Sequence, residues 1–477
     1  MRFIVQVRIE HDHPPDTEDT DACVEVVDVA DLERHELSEA TIGLSIDEAK
    51  QALAGIQETM ATEHAAAALR AAASCCDCGR RYAHKDRRGL VVRSLYGTIR
   101  LANPRWWTCS CAGATRRTFT PLAALIPGRC TPELALVEAK LGAHMSYAAA
   151  GDLLGELFPT GRRIHRNEIS RTIATIAGRL DAELAADKPC YIDPSEALPA
   201  GVPEMPLVVT ADGGYVHSSN QTSRRDGWFQ AVCGTVTTNE GTTRRFGFVP
   251  TIDEQPRARL RETLLAQGVR PDQLITFITD GADDLANLTD RMNLTAEYVL
   301  DWFHIAMRFK VLANTATNLT WTPDPEELEP DEQWCTAAVD QMRADIARAK
   351  WFLWHGNLHR CRQTLDDALG ILECCDPTTN RDKAIDRLNE LVGYLSTNQR
   401  RIPNYAERRR AGEPISSATA ESAVNQIISK RMVKKQQMRW SPHGAHRLLQ
   451  VRTRVLDHQL DNDIHRWHTT TPLTIAA

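Results

Sequence analysis

Four acidic residues stand where they could share one metal site. Asp212 follows the apolar run LVVTA, Asp280 follows LITFIT and Asp301 closes AEYVLD, whereas Glu421 opens the helix-like stretch ESAVNQIISKRM far downstream. Carboxylate oxygens are the ligands that Mg²⁺ and Mn²⁺ prefer, and a pair of such ions supports phosphodiester chemistry. We therefore expect these acids to gather from distant segments onto one divalent-metal site for phosphoryl transfer.

A single acid at the end of a strand more often solvates a turn than binds a metal. Here the dipeptide Asp-Gly begins at both Asp212 and Asp280, and a third acid ends the next strand candidate. This repetition favours a metal site. The spacing of Asp301 and His304 would place them on one helical face, so His304 could hold a phosphate or orient Asp301. The alternative is that Asp301 only caps the helix that follows.

The segment around the first three acids predicts a mixed α/β sheet. The strand candidates are PLVVTADGGYV, WFQAVCGTVTT, RRFGFVP, LITFITDG and EYVLDWF, and the helix EQPRARLRETLLAQ separates the third from the fourth. GADDLANLTDRM indicates another helix after the fourth. Because the carboxyl ends of strands in open α/β sheets meet in one crevice, we expect Asp212 and Asp280 to converge.

Two helical blocks follow the sheet. Residues 304–400 are helical in pattern and lie between Asp301 and Glu421, which predicts a helical insertion within the catalytic fold. Residues 415–460 then indicate a long basic helix, a turn at SPHG and a further helix. A glutamate at the start of the basic helix could pack beside the sheet and complete the site.

The basic helix could also contact DNA. A Lys/Arg-rich helix is usually a solvated face, but its attachment to a candidate catalytic glutamate favours contacts with the phosphate backbone, which position DNA without reading its sequence. The expected contacts are Lys430, Arg431, Lys434, Lys435 and Arg439.

Two close pairs of cysteines predict a Zn²⁺ site. The pairs flank a β-ribbon-like stretch in which Gly97 separates two runs, and four thiolates suit tetrahedral zinc. Cys76 is a spare thiol and His84 a possible substitute ligand; the alternative is a cluster of reduced structural cysteines. The expected ligands are Cys75, Cys78, Cys109 and Cys111.

Helical patterns also precede the sheet. Residues 46–73 are strongly helix-forming, and residues 131–186 are helical with a break at FPTGRRI, after which Asn167 is a candidate N-cap. A helix, a turn containing Gly161 and an arginine-rich helix suit a helix-turn-helix, and a helical spacer is the equal alternative.

Composition limits the class of protein. The 477 residues carry 25% charged residues and a net charge of −7, and no apolar run approaches the length of a membrane span. The first residues lack the pattern of an export signal, so thirteen cysteines favour reduced thiols in the cytoplasm. Acidity is concentrated in residues 1–40, with twelve Asp/Glu against three Lys/Arg, whereas residues 421–460 are basic.

The order of TADGGYV, ITDGADDL, VLDWFHIAMR, WFLWHGN and the stretch from IPNYAERRR to LLQVRTRV resembles DDE-type transposases of bacterial insertion sequences, specifically the ISKra group. The resemblance covers about residues 75–468. It implies a ribonuclease H-like mixed-sheet core with an all-helical insertion, preceded by a zinc-ribbon-like and helical DNA-binding region. It also implies that Asp212, Asp280 and Glu421 form the catalytic triad, with Asp301 and His304 as an Asp-x-x-His signature.

On this basis we expect a Mg²⁺- or Mn²⁺-dependent DNA transposase of the nucleoid, which binds double-stranded element ends and target DNA and acts as a homo-oligomer without membrane contact. A structure-specific nuclease and a non-catalytic DNA-binding protein remain alternatives. The expected segments are an acidic region 1–74, a zinc ribbon 75–130, a helical region 131–200, the core 201–303, the insertion 304–415 and the end of the core 416–477.

Overall fold

The structure is a computed structural model, and it describes most of the chain. The described residues are 1–10, 24–39, 41–111, 115–184, 207–219, 227–238, 241–270, 273–281, 288–289, 292, 294–324, 331–417, 422–433 and 438–469.

The chain divides into two compact units. Unit 1 comprises Met1–Ala177 with His458–Ala477, and unit 2 comprises Gly178–Asp457. The expected segment 416–477 is therefore divided between them, because its last helix packs with the N-terminal half of the chain.

Unit 1 begins with a hairpin and a long helix. β1 (Arg2–Glu10) pairs antiparallel with β2 (Val24–Glu33), and α1 (Ile46–Ala71) packs on β2. The helix expected at 46–73 is confirmed.

The predicted β-ribbon is present in unit 1. β3 (Ala83–Ser94) and β4 (Gly97–Trp107) pair antiparallel around a turn at Gly97, where φ is +141°, and β5 (Thr118–Phe119) adds a short third strand. Buried side chains of β3 and β4 form a small core with α1 and with α2 (Pro121–Leu125).

Three helices, rather than the two expected, occupy the region after the ribbon. α3 (Pro132–His144) and α4 (Tyr147–Leu157) are separate because Ser146 caps α4, accepting a hydrogen bond from Ala149 N. α5 (Arg166–Glu183) begins one residue before Asn167, so the expected cap at Asn167 is wrong. The acceptor in that first turn is His165 Nδ1, which accepts from Asn167 N at 3.2 Å.

All five expected strands form one mixed sheet in unit 2. The strands are β6 (Leu207–His217), β7 (Trp228–Thr238), β8 (Thr243–Phe248), β9 (Leu274–Thr279) and β10 (Thr295–Leu300). Their order across the sheet is β10-β9-β6-β7-β8, with β10, β9 and β6 mutually parallel and β6, β7 and β8 antiparallel. The expected helix between β8 and β9 is α6 (Pro256–Ala266), whereas the helix expected after β9 falls mostly outside the described residues.

The insertion is helical, as expected. It contains α7 (Trp302–Ala316), α8 (Glu332–Trp354), α9 (Leu358–Cys374), α10 (Thr379–Thr397), a short 3₁₀ turn (Gln399–Arg401) and α11 (Tyr405–Arg410). Their apolar faces form one buried core with the end of β10. Each fully buried aliphatic side chain in such a core contributes roughly 1.5–3 kcal/mol to stability.

The end of unit 2 differs from expectation in its helical geometry. The expected basic α-helix is a wide π-helix over Asn425–Val433, and the SPHG segment is the cap and first turn of α12 (Pro442–Leu456) rather than a turn before it. Trp440 anchors the junction, donating from its N to His217 O at 2.8 Å and accepting at its O from Ser219 N at 2.9 Å. A last helix, α13 (Leu460–Thr469), belongs to unit 1 and contacts α3.

Within the described part of the chain, none of the helices combines the length and apolar character that crossing a membrane requires.

The turn after β9 depends on a glycine. Gly281 has φ +96°, and a Cβ there would stand 2.8 Å from Asn398 Nδ2 and 3.0 Å from Tyr394 Cε2. We expect Gly281→Ala to lower the free energy of unfolding by about 1–3 kcal/mol because of backbone strain and this collision. Urea unfolding followed by tryptophan fluorescence measures the loss.

Gly393→Ala is the matched control for that substitution. Gly393 lies inside α10, and a Cβ added there would meet nothing within 4 Å, so alanine should be neutral or stabilise by about 0.5–1 kcal/mol. An equal loss in both variants would contradict the role assigned to the turn.

Candidate active site and metal centre

The strand register places three of the expected acids at one level of the sheet. Thr210 of β6 pairs with Ile278 of β9, and each is followed two residues later by an aspartate, Asp212 and Asp280. Thr279 pairs with Leu300 of β10, so Asp280 and Asp301 also stand at the same level, and Asp301 N donates to Thr279 O at 2.8 Å. Since neighbouring strands are about 4.8 Å apart, the register aligns these acids across the sheet.

Side-chain alternation along β6 and β9 would place Asp212, and Asp280 just after the end of β9, on the same face. Val209 and Phe277 point into the core that α6 covers, so the residues one and three positions later point to the opposite face. The sequence suggested that Asp212 ends its strand. In the structure it lies within β6, because β6 continues beside β7 to His217. It lies just past the last parallel pair with β9, where the two strands separate.

The helix downstream of Glu421 lies against that same face. A Cβ on Gly214, two residues after Asp212, would meet Ile428 Cδ1 at 3.0 Å and Val424 Cγ1 at 3.3 Å. Glu421 itself lies outside the described residues, three positions before Val424 in the sequence.

Asp212 sits in a partly buried position beside a thiol. Its Oδ1 accepts a hydrogen bond from Gly213 N at 2.7 Å, and its partner on β7 is Cys233. Burial, together with the negative charge of Asp212, raises the pKa of the Cys233 thiol, so the thiol stays protonated. Cys233 therefore adds no charge to the site.

The insertion holds the main chain at Asp280. Tyr394 of α10 donates its hydroxyl to Asp280 O at 2.8 Å, and Arg401 Nη1 donates to Gly281 O at 3.4 Å. Burial raises the pKa of Tyr394 even though the Arg308 guanidinium lies 4.1 Å from its ring. The phenol therefore remains a hydrogen-bond donor at neutral pH. Nothing in the sequence pattern singled out Tyr394.

Asp301 is enclosed and acts as a cap. Its side chain is 0% exposed; Oδ1 accepts from Phe303 N at 2.8 Å at the start of α7, and Oδ2 accepts from Ser417 Oγ. His304 Nε2 lies 3.7 Å from the same Oδ2, with its side chain 40% exposed. The capping alternative for Asp301 is therefore the one that the contacts favour, and His304 is the member of the pair that solvent reaches.

The Asp301 contacts also fix the segment that leads towards Glu421. Trp302 N donates to Ile415 O at 3.0 Å, beside the bond between Ser417 and Asp301. Asp301 is thus placed to position other groups, and no local pattern pointed to its partner Ser417.

The basic residues of the C-terminal helix have different environments. Arg431 is 0% exposed, with its guanidinium 5.0 Å from the Trp440 ring, so the expectation that it binds DNA phosphate is wrong for a side chain this deeply buried. Lys430 and Arg439 are exposed. The two remaining candidates, Lys434 and Lys435, lie outside the described residues.

A buried arginine missed by the sequence analysis braces the π-helix. Arg452 of α12 donates from Nε to Ile427 O at 2.9 Å and from Nη2 to Gln426 O. Burial, and the neighbouring charge of Arg431, lower the pKa of Arg452 to about 10, which leaves it charged at neutral pH. Charged donors make strong hydrogen bonds to carbonyl oxygens, and π-helices often occur at functional sites.

The four expected cysteines form a compact group in unit 1. The separations are 3.7 Å for Cys75 Sγ to Cys111 Sγ and 3.4 Å for Cys78 Sγ to Cys109 Sγ, and all four sulfurs lie within 4.8 Å of one another. Four sulfurs about 2.3 Å from a tetrahedral zinc are about 3.8 Å apart, so the group could hold a metal such as zinc. Among the described residues, Asp212 and Asp280 do not form a comparable metal-binding group with a third His, Cys, Asp or Glu side chain.

A tight turn shapes the first half of the cysteine group. Gly79, with φ +71°, donates from its N to Cys75 O at 2.9 Å, and Cys75 N donates to Arg80 O at 2.9 Å. Hydrogen bonds from the backbone N–H groups of Asp77 and Cys78 lower the pKa of Cys75 to about 7, which favours the thiolate that a metal needs.

The two reserve ligands are outside the group. Cys76 is exposed and lies 3.5 Å from Asp77 Oδ1, and His84 does not join the four sulfurs. The group of four sulfurs therefore contains Cys75, as expected, and not Cys76.

Replacing one cysteine should reduce zinc content. We expect purified wild-type protein to carry about one zinc per chain and Cys75→Ser to carry much less, since a hydroxyl is a poor zinc ligand. Elemental analysis of the purified proteins is the measurement. Cys76→Ser is the control and should keep its zinc; equal zinc in all three proteins would contradict the site.

Loss of the buried cap should destabilise unit 2. We expect Asp301→Ala to lower the free energy of unfolding by about 1–3 kcal/mol, because it removes the cap of α7 and the partner of Ser417. Asp331→Ala removes an exposed cap of α8, where Oδ1 accepts from Trp334 N at 2.7 Å, and should cost about 1 kcal/mol or less. Urea unfolding compares the two, and a smaller loss at Asp301 would argue against the bracing role.

No protein-family model matches this chain, and the curated proteins contain no match to it.

Proposed function

We propose that this chain is a DNA transposase that binds the ends of its element, cleaves phosphodiester bonds and joins the freed 3′ ends to target DNA. The observation that carries the proposal is the alignment of Asp212 and Asp280 on one face of neighbouring parallel strands, with the helix that follows Glu421 packed on the same face. Carboxylates on adjacent strands are suited to sharing divalent cations.

The donor set fits Mg²⁺ or Mn²⁺ rather than a softer metal. Asp212, Asp280 and Glu421 would hold the ions, since all three offer carboxylate oxygens. When bound, such ions neutralise phosphate charge and lower the pKa of the attacking hydroxyl or water. Tyr394 keeps the Asp280 main chain in place, and the exposed His304, beside Asp301, would hold a phosphate oxygen.

The architecture supports a ribonuclease H-like core. A five-stranded mixed sheet carries the aligned acids, and a helical insertion separates β10 from the helix that follows Glu421, as the resemblance implies. The cysteine group and β-ribbon correspond to the zinc-ribbon-like region, where Zn²⁺ would have a structural role.

Charge on the zinc-ribbon region supports DNA as the substrate. Residues 75–117 contain ten Lys/Arg against two Asp/Glu, in a chain whose net charge is −7. Exposed cations of the ribbon include Arg80, Arg81, Lys85, Arg87 and Arg88. A local positive field attracts polyanions regardless of net charge, and this signal was available in the sequence. We also propose that at least two chains act together in the nucleoid, since two element ends must be brought together.

A plasmid carrying the gene with its flanking DNA tests the proposal. Wild-type protein with Mg²⁺ should cut at the element ends and join them to a second plasmid. Asp212→Asn, Asp280→Asn and Glu421→Gln should each lower both rates by about 100-fold or more, since even indirect partners of metal ligands cost about 10- to 100-fold. Gel analysis of cut and joined products gives the rates.

Asp366→Asn makes the same chemical change at an exposed position on α9 and should leave both rates unchanged. Undiminished joining by Asp212→Asn would refute the site. Cutting without joining would favour a structure-specific nuclease, and DNA binding without cutting would favour a non-catalytic DNA-binding protein.

A further inference from the structure

The first hairpin of unit 1 has an open edge. Within the described part of the chain, β1 pairs with β2 alone, so the other side of this nine-residue strand has no strand beside it. Met1 exchanges two main-chain hydrogen bonds of 2.8 Å with Arg34, and the one extra residue of the hairpin, Val29, belongs to β2. Because β1 itself is regular, the main-chain N–H and C=O groups of alternate residues from Arg2 to Glu10 point away from β2.

This edge lacks most of the features that prevent strands of different molecules from pairing. Such edges are typically short or bulged, or they carry proline or charged side chains, lysine above all. β1 is nine residues long and contains neither proline nor lysine, and its charged residues have both signs. Phe3 and Ile4, on opposite faces of the strand, are 49% and 47% exposed. The edge can therefore accept another strand by main-chain hydrogen bonds.

The charges of β1 are complementary to those of a second β1 in one antiparallel register. If two copies pair about a twofold axis at Gln6, Arg2 of each copy stands opposite Glu10 of the other. The outward main-chain groups of Arg2, Gln6 and Glu10 then face one another as hydrogen-bonded pairs. Apolar residues of the two copies also meet in this register, Phe3 with Ile9 and Val5 with Val7.

Neighbouring registers are less favourable. Moving the axis to Val5 would bring Arg2 of one copy opposite Arg8 of the other, and like charges directly opposite each other destabilise a strand pair. Moving the axis to Val7 would leave Arg2 with no opposite residue in β1. The charge pattern therefore selects the register that is centred on Gln6.

The ion pairs within each hairpin are compatible with this contact. Arg2 Nε donates to Asp31 Oδ1 at 2.9 Å, and Arg8 Nη2 lies 2.9 Å from Glu10 Oε1. The side chains of Arg2 and Glu10 are nevertheless 63% and 68% exposed, so each can meet a second charge. Exposed ion pairs contribute little to affinity, so they would select the register while the main-chain hydrogen bonds and apolar pairs hold the strands together.

We propose that β1 is a dimerisation edge: two copies of this chain pair their β1 strands antiparallel about Gln6 and join their hairpins into one four-stranded sheet. The contact is isologous, since the same strand serves both copies. The inference deepens the proposed function, and rests on it only in that two chains must act together there. The contact itself forms without DNA.

Charge reversal tests the register. Sedimentation equilibrium of the full chain without DNA gives the dissociation constant of the dimer. Arg2→Glu should raise this constant about tenfold, because two acids would then face each other, and Glu10→Arg should do the same with two cations. Combining the two substitutions should recover most of the lost affinity. Arg70→Glu makes the same change of charge at an exposed position of α1 and should leave the constant unchanged.

Only a contact between chains explains such a recovery. Residues 2 and 10 of one chain are about 26 Å apart along the extended strand, so they cannot compensate each other within a hairpin.

A proline tests the main-chain pairing. The N–H of Ile4 faces the open edge, so Ile4→Pro removes a donor from the contact without removing a hydrogen bond to β2. We expect the dissociation constant to rise about tenfold or more. Ile4→Thr is the matched control, because threonine keeps the N–H and favours a strand, and it should dimerise like the wild type.

The outcomes separate the inference from the proposed function. A wild-type chain that stays monomeric at every concentration, or a double reversal that dimerises no better than the single ones, would overturn the dimerisation edge even if the protein cuts and joins DNA. Dimerisation with the expected recovery, but without cutting or joining of element ends, would uphold the edge and refute the proposed function. Circular-dichroism spectra that match the wild type establish that each variant is folded, and the charge-reversal set decides if Ile4→Pro is not.

Discussion

The parallel register of β6, β9 and β10 is the constraint on which the rest of unit 2 depends. A shift of one residue in either pairing would move every side chain of that strand to the other face. Asp212 and Asp280 would then no longer share a face, whatever the rest of the chain did. The apolar residues that set this register, Val209 and Phe277 among them, are therefore as important to the acids as any direct contact.

The acids differ in burial and in hydrogen-bond partners, which suits them to different roles. Asp212 and Asp280 are partly buried and lie where the strands part, whereas Asp301 is enclosed by the cap of α7 and by Ser417. An enclosed carboxylate with its oxygens engaged cannot exchange ligands easily, but it can fix the segments around it. The insertion does similar work at Asp280 through Tyr394. Much of the geometry of the site is thus held by residues that take no direct part in the proposed reaction.

The sequence was sufficient for features that depend on local pattern. The five strands, the insertion and the four cysteines all follow from hydrophobic runs, helical spacing and close pairs of thiols. Features that depend on packing were missed. Arg431 has the sequence context of a surface cation, but in the π-helix its side chain is buried against the Trp440 ring. No local sequence pattern predicts the π-helix. Tyr394 and Ser417 acquire their partners from residues more than a hundred positions away.

The insertion leaves β10 at Trp302 and returns at Ile415, and these two residues are joined by a hydrogen bond of 3.0 Å. Its two ends are therefore adjacent, as they are in domains that tolerate insertion into a host fold. Helices could be lengthened, shortened or exchanged inside the segment without altering the distance between its ends. The acid-bearing sheet can therefore stay unchanged while the insertion changes in size, provided that the helix carrying Tyr394 still reaches the Asp280 carbonyl oxygen.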